Sequence, residues 1–366
     1  MKILVDGMPK GTGGIGTLII NLVNYNEHIG AKENIVFEFL VPQNSEYISF
    51  FKSKGYKYYE VPRVFTRNYR KCINEIFEKN KYNYIWINNT SKVNIYLPRR
   101  AKKSGALIIM HSHGVQAEET GIKKLLFDII EWFQNNQYCK LIDVPFACSE
   151  ASAEYFYPHY LLSKCKIISN GIDTDRFLFN EKYRREIRDT FSIAEDEILL
   201  GASGRLTKVK NYRFLINLMP LLSEKYKLII LGDGEEENEY KNLVKTMKLE
   251  DRVLLVGKKD CIEKYLCAMD VFLMPSINEG LPFSLVEAQA NGLKCIVSTG
   301  VSEEAKLIDT TSFISLDDKQ SWIEEICSEL PSVEERIDAN ACVIRAGYSI
   351  ASSYTMFRES IENGDS

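Results

Sequence analysis

The sequence predicts an α/β protein made of two doubly wound, Rossmann-like domains. Three observations carry this. Short runs rich in β-branched and aromatic residues alternate with longer helical patterns along all 366 residues. The runs are continuously apolar rather than alternating, as in parallel strands covered on both faces. The chain is also longer than one ordinary domain of roughly 100–200 residues, and its strand series breaks once. The break falls at KCKIISNGIDTDRF, residues 164–177, where a strand runs into a Gly-Ile-Asp turn.

In order, the first series of expected strands is KILVD, IVFEFLV, YKYYEV, YIWIN, ALIIMH and VPFAC. The second is EILLGASG, YKLIILG, RVLLVG, DVFLMP, KCIVS and TSFISL. Amphipathic segments lie between them, among them IKKLLFDIIEWFQNN and NYRFLINLMPLLSEKY. The tail GYSIASSYTMFRESIEN reads as a last helix that follows a completed second sheet. The expected domains are 1–168 and 169–346, with 347–366 as a C-terminal helix.

Hydrophobic residues make up 45% and charged residues 26%, a balance that can bury a large core. A net charge of −4 excludes a nucleic-acid binder by overall charge. The distribution is uneven. Residues 1–165 hold 21 Lys and Arg against 15 Asp and Glu, a net of +6; the remainder holds 25 against 35, a net of −10. A basic half suggests an anionic partner. The nine cysteines are scattered without a C-x-x-C pair, which argues against disulfides or zinc and for a reducing compartment. The N-terminus enters a strand pattern directly, so no cleavable signal is expected, and no apolar run approaches the ~20 residues of a membrane span. The expected location is the cytoplasm, either free or peripheral on the inner face of the cell membrane. RNYRK (67–71), PRRAKK (98–103) and the apolar helical pattern between 121 and 138 read either as solvated charges beside a core-facing helix or as a face that rests on anionic lipid.

GTGGIG, residues 11–16, has the G-x-G-x-x-G form of a dinucleotide site but fails its context. The first strand ends near Asp6, with DGMPK before Gly11, and the second ends in LVPQ without the ribose-binding carboxylate. The alternatives are a flexible loop, or Gly13, Gly14 and Gly16 letting backbone N–H groups approach a phosphate at a helix start. In NEGLPFSLVEAQANG, residues 278–292, Glu279 falls in a loop and Glu287 about a turn and a half into a helix, with Pro282 in its first turn. The N–H groups of Phe283 and Ser284 would point at a phosphate. GRLTKVKN, residues 204–211, follows a strand with Arg205 and Lys210, a fork and a point charge suited to a diphosphate. DTD, residues 173–175, is read as a turn cap rather than a metal site, and GEEENEY, residues 234–240, as the acidic start of a solvated helix.

GGIG, HSHG, NGIDTDRF, GRLTKVKN, LGDG and EGLPFSLVEAQANG follow one another in the order seen in family-4 retaining glycosyltransferases of the GT-B fold, which the chain resembles over essentially its whole length. It is most similar to the bacterial members that build exopolysaccharide or capsule repeat units. The resemblance implies two domains facing across a cleft, with 1–168 binding the acceptor, 169–346 the sugar nucleotide, and 347–366 returning to the first. It implies transfer of a hexosyl group, with retention, from a nucleotide-diphosphate sugar, UDP before GDP. The saccharide acceptor would be linked to a polyprenyl diphosphate, and neither metal nor further cofactor would take part. Gly204, Arg205 and Lys210 would hold the diphosphate, and Glu287 the ribose. Glu279 would sit by the donor sugar, with Gly280, Leu281, Phe283 and Ser284 contacting sugar and phosphate. Val256 would border the base, and Gly14 would reach the phosphate from the first domain. An active-site histidine is implied in HSHG: His113, which precedes Gly114, or His111. The loop GGIGT lacks the glutamate that many members carry two residues after the glycine pair. A sugar-nucleotide epimerase and a catalytically silent partner-binding subunit are the competing readings; a silent subunit would be expected to lose Arg205, Lys210 or Glu287.

Overall fold

The computed structural model describes residues 1–11, 13–29, 35–89, 91–113, 135 and 137–362. The chain divides into two compact units, Met1–Gly171 with Ile350–Ser366, and Ile172–Ser349. In the first, β1 (Lys2–Asp6), β2 (Val36–Pro42), β3 (Tyr58–Val61), β4 (Tyr84–Asn89), β5 (Leu107–Ser112), β6 (Val144–Ala147) and β7 (Lys166–Ile167) form one sheet in the order β3-β2-β1-β4-β5-β6-β7. In the second, β8 (Ile198–Ser203), β9 (Tyr226–Leu231), β10 (Val253–Gly257), β11 (Val271–Met274), β12 (Lys294–Ser298) and β13 (Thr311–Ile314) form a sheet in the order β10-β9-β8-β11-β12-β13. Every pair of neighbouring strands is parallel. The chain order reverses at β1/β4 and at β8/β11, and such switch points open the crevice at strand carboxyl ends where ligands bind.

The continuous apolar runs are explained by two-sided burial. In the second sheet Leu199, Ile229, Phe272, Cys295 and Val297 enter one core, while Leu200, Leu228, Ile230, Leu273 and Ile296 enter the other, with fully buried Trp322. Each such side chain contributes about 1.5–3 kcal/mol by leaving water. In the first unit, Leu4, Leu40, Ile85 and Met110 pack on one face with the helix Arg67–Lys79. The helix Ile350–Glu362 belongs to this unit and packs on the helix Gly14–Ile29. Tyr354 donates to Asn26 Oδ1 at 2.6 Å, and Phe357 lies 4.7 Å from Trp86 between ring centroids.

The helix expected over NYRFLINLMPLLSEKY stops early. It spans Tyr212–Leu218 and passes into a 3-10 turn, Met219–Leu221, because Pro220 has no N–H to continue it. The amphipathic pattern of 121–138 lies outside the described residues apart from 135, 137 and 138. No helix among the described residues is long and apolar enough to cross a membrane.

A buried charge cluster fixes the second unit below its switch point. Asp270, just before β11, accepts from Arg184 at 2.7 Å, from Arg188 at 3.2 Å and from the Leu199 N–H at 2.7 Å. Arg336, 5% exposed, donates to the carbonyls of Leu266, Met269 and Asn291.

Candidate functional site

The loops after β8 and β11 meet at the second switch point. Ile277 N–H donates to Val209 O at 2.8 Å and the Asn211 amide to Pro275 O at 3.3 Å, so the GRLTKVKN and NEGLP loops are stitched together. Glu279 is held by backbone: its N–H reaches Gly300 O, and its carbonyl accepts from Ser302 N–H, both at 3.0 Å. Lys210 Nζ lies 2.6 Å from Glu279 Oε1, each side chain about one-sixth exposed at 17% and 16%. The pair is a charge contact rather than an aligned hydrogen bond.

Gly204, at φ +147°, makes this approach possible. A Cβ there would stand 2.8 Å from the Tyr212 hydroxyl and 3.1 Å from Lys210 Cε, so a side chain would displace both. Arg205 is exposed and makes no ion pair among the described residues. The helix Phe283–Ala290 starts at Pro282, which sits at the N-cap rather than in the first turn. The first backbone donors are Leu285 and Val286, both to Pro282 O, which leaves the Phe283 and Ser284 N–H groups at the positive end of the helix. Gly280 and Leu281 lie in the loop just before it.

Glu287 is in this helix, as its spacing from Pro282 requires. Burial pushes its carboxyl up to about 7; Arg176 and Lys210 pull it down and Glu263 raises it. Arg176 is itself braced, donating to Glu263 Oε2 and to Asp260 O at 2.7 Å. Val256 is the bulged residue of β10, skipped where the register with β9 passes from Leu255 to Gly257. Asp173 Oδ1 accepts from Arg176 N–H at 3.2 Å, so the DTD stretch caps a turn. Glu237 and Glu239 occupy the first turn of the helix Glu237–Thr246, as read from GEEENEY. No cluster of three or more His, Cys, Asp or Glu that could hold a metal ion occurs among the described residues.

The first unit has its own polar cluster at the ends of β1, β4 and β5. The Asn88 amide donates to Asp6 O at 3.3 Å, which turns its Oδ1 towards His113 Nε2 at 2.9 Å. With Oδ1 as acceptor, His113 carries its proton on Nε2 and Nδ1 is the ring's acceptor. Burial drives its pKa down to about 3, so the ring is neutral. His111 is fully buried, with its ring 4.2 Å from that of His113 and 5.9 Å from Phe146, and burial also lowers its pKa. His113 is the one at the margin of the core, at 9% exposure. Gly114, which follows it, lies outside the described residues. Burial raises the Asp6 carboxyl to about 6 against the Gly7 backbone hydrogen bond.

Gly13 and Gly14 are exposed at the start of the helix Gly14–Ile29. Gly16 is not: the Tyr47 hydroxyl occupies the place of its Cβ, so packing accounts for its missing side chain.

Tyr212, Arg176 and Glu263 were not singled out in the sequence. Arg176 stood in view inside NGIDTDRF, but its partner is 87 residues away, and Tyr212 reads as an ordinary core aromatic.

Residues 183–325 match the family model described as glycosyl transferases group 1. The matched stretch lies within the second unit. The chain is 28% identical over 346 residues to EpsF of Bacillus subtilis, itself named as a glycosyltransferase, covering 88% of this chain and 85% of EpsF. It is 30% identical over 235 residues to the Escherichia coli UDP-Gal:alpha-D-GlcNAc-diphosphoundecaprenol alpha-1,3-galactosyltransferase, covering 61% of this chain and 59% of that one. Among solved structures, the Anabaena protein Alr3699/HepE, in complex with UDP, superposes with a TM-score of 0.77 at 14% identity, covering 99% of both chains. The fold is thus GT-B, and Lys210, Glu279 and Glu287 all lie within the residues that the family model matches.

Proposed function

We propose that this protein is a retaining hexosyltransferase that takes its sugar from a nucleotide-diphosphate donor, UDP before GDP, and passes it to a lipid-linked saccharide in exopolysaccharide or capsule synthesis. The observation that carries the reading is the Lys210–Glu279 pair, set beside Arg205 and the start of the Phe283–Ala290 helix at the β8/β11 switch point. Gly204, Arg205, Lys210 and the Phe283 and Ser284 N–H groups hold the diphosphate, with Gly280 and Leu281 against the sugar. Glu287 accepts from the ribose hydroxyls, and Val256 borders the base. The first unit takes the acceptor, with His113 as its catalytic histidine. The names of the relatives support the donor and acceptor classes: one uses UDP-Gal on a diphosphoundecaprenol-linked sugar.

Neither Glu279 nor Glu287 acts as a nucleophile in this reading. The acceptor oxygen attacks the anomeric carbon on the face the diphosphate leaves. The carbon–oxygen bond to the diphosphate breaks, and the acceptor proton passes to the departing phosphate oxygen. Fixed cations and helix N–H groups stabilise that leaving group, so transfer requires no metal. Calorimetry and slow-hydrolysis assays against a panel of sugar nucleotides test the reading. A UDP- or GDP-sugar should bind and NAD should not; micromolar NAD binding abolished by Gly14→Val would overturn it.

Glu287 makes the donor site pH-dependent. Only the carboxylate accepts from two ribose hydroxyls, and a pKa near 7 leaves it mostly protonated at pH 6. UDP affinity should therefore rise about tenfold from pH 6 to pH 8 beyond the change shown by Glu287→Gln. For stability the sign is opposite. A raised folded-state pKa favours the fold while the group is protonated, and that contribution is lost as pH rises through 7. Parallel pH curves for the wild type and Glu287→Gln would remove the ribose assignment.

The basic face is proposed to rest on anionic lipid beside the acceptor. Arg67, Arg70 and Lys71 are exposed on their helix, whereas Lys102 pairs with Asp143, Arg100 donates to Asn74 and Arg99 to Gln137. Changing Arg99, Arg100, Lys102 and Lys103 together to Ser should weaken co-sedimentation with anionic vesicles at low salt. Indifference of the wild type to such vesicles would drop the membrane reading alone.

A further inference from the structure

Tyr212 begins the helix Tyr212–Leu218 and is 2% exposed, yet its hydroxyl has no hydrogen-bond partner among the described residues. Buried hydroxyls rarely stay unpaired, because the lost hydration is not recovered. In the second unit the buried side-chain atoms left in this state among the described residues are Tyr212 Oη, Ser276 Oγ and Glu279 Oε1. Glu279 lies in one of the two stitched loops, and Tyr212 and Ser276 lie within two residues of them. Other buried polar side chains of that unit, such as Asp270, Gln289 and Arg336, are bonded.

The geometry links the orphan to the ion pair. The Tyr212 hydroxyl and Lys210 Cε lie over the same bare Cα of Gly204, at 2.8 and 3.1 Å from where its Cβ would be. The negative charge of Glu279 is near enough to help raise the Tyr212 pKa, after burial, well above its ordinary value. The hydroxyl is therefore a proton donor without an acceptor, and the acceptor within its electrostatic reach is occupied by a lysine that a diphosphate would claim.

We propose that in the free protein Glu279 holds Lys210 in reserve, that a bound diphosphate draws the ammonium away, and that Tyr212 then donates to the vacated carboxylate and positions it for the sugar. This rests on the reading of Lys210 and Glu279 as donor-site residues. Tyr212 is a positioning residue that acts through Glu279. Its hydroxyl stays unpaired until the site is filled, and the lysine stays neutralised until there is phosphate to hold.

The test is a double-mutant cycle with Tyr212→Phe and Glu279→Gln in the full chain, read by UDP calorimetry, with GDP as second probe, and by melting of the free protein. Tyr212→Phe should weaken nucleotide binding by about 10-fold or more, the size of a lost hydrogen bond to a charged group. In the Glu279→Gln background the same change should have less than about a twofold effect, since no charge is left to satisfy. Free Tyr212→Phe should melt no lower than the wild type, because the deleted hydroxyl bonds to nothing there. A lower melting temperature, an equal loss in both backgrounds, or unchanged nucleotide binding would overturn the proposal. If the wild type binds neither UDP nor GDP, the functional reading falls with it; if it binds either and Tyr212→Phe changes nothing, the positioning role alone falls.

Discussion

Lys210→Ala should lower turnover by roughly 10²–10³-fold, and Arg205→Ala by a similar factor, each removing about 3–4 kcal/mol of transition-state stabilisation. The size follows from where charge develops. As the donor bond breaks, negative charge collects on the diphosphate, and a cation already in place need not reorganise to meet it. Lys210 meets this need: Gly204 gives its side chain room, Glu279 keeps its ammonium at 2.6 Å in the free protein, and the bound diphosphate takes it over before the donor bond breaks. Arg205 is exposed and uncommitted among the described residues, so its fork is available to phosphate oxygens. Loss of turnover should appear in kcat more than in binding of intact donor, because the charge grows in the transition state. Glu279→Ala provides the contrast, with nucleotide binding retained and transfer reduced. Steady-state assays with the donor found by the panel decide it. Near-normal kcat in both cation variants, with melting unchanged, would mean that the diphosphate sits elsewhere.

Asp270→Ala should destabilise the second unit by about 3–5 kcal/mol, the usual cost of removing one partner from a buried ion pair. Asp270 satisfies Arg184, Arg188 and the Leu199 N–H together, and Arg188 is only 6% exposed. Without the carboxylate, a guanidinium stays in the core next to Arg336, whose pKa burial already lowers to about 10. For a unit of this size each kcal/mol lowers the melting temperature by roughly 2–4 °C, so a fall of roughly 6–20 °C is expected in calorimetry. Arg185→Ala is the control. Its i,i+4 partner is Glu181, both side chains are at least half exposed, and such pairs are worth roughly 0.3–0.5 kcal/mol. Equal shifts in the two variants would show that the Asp270 cluster does not anchor the second unit.

The sheets were legible because two-sided burial imposes a simple pattern. VFLM and the central CIV of KCIVS have no polar position that could face water, and they lie inside a covered sheet in β11 and β12. The two-residue β7 is too short to announce itself by period, and its expected place came from the turn behind it. Pro220 was visible, but the apolar spacing beyond it concealed the helix end. At the site, Glu279, Glu287, Arg205 and Lys210 could be picked out because local strand–loop–helix punctuation places each at a strand end or helix start. The pairing of Lys210 with Glu279 could not, since it depends on two loops 69 residues apart by their numbers being stitched through Val209 and Ile277. The same holds for Arg176 and Glu263, and for Tyr212, whose importance lies in a missing hydrogen bond rather than in residue type.

The first unit takes its material from both ends of the chain, whereas the second is one uninterrupted stretch from Ile172 to Ser349. A ribosome delivers these in sequence. The first sheet emerges with Trp86, Phe37 and Phe146 bare on the side that Phe357 later covers. It must wait through the whole of the second unit's synthesis for the Ile350–Glu362 helix to arrive. The second unit has everything it needs by Ser349 and can close ahead of it. The half of the protein made first is therefore finished last, and for that interval its apolar face is the surface the nascent chain shows to chaperones.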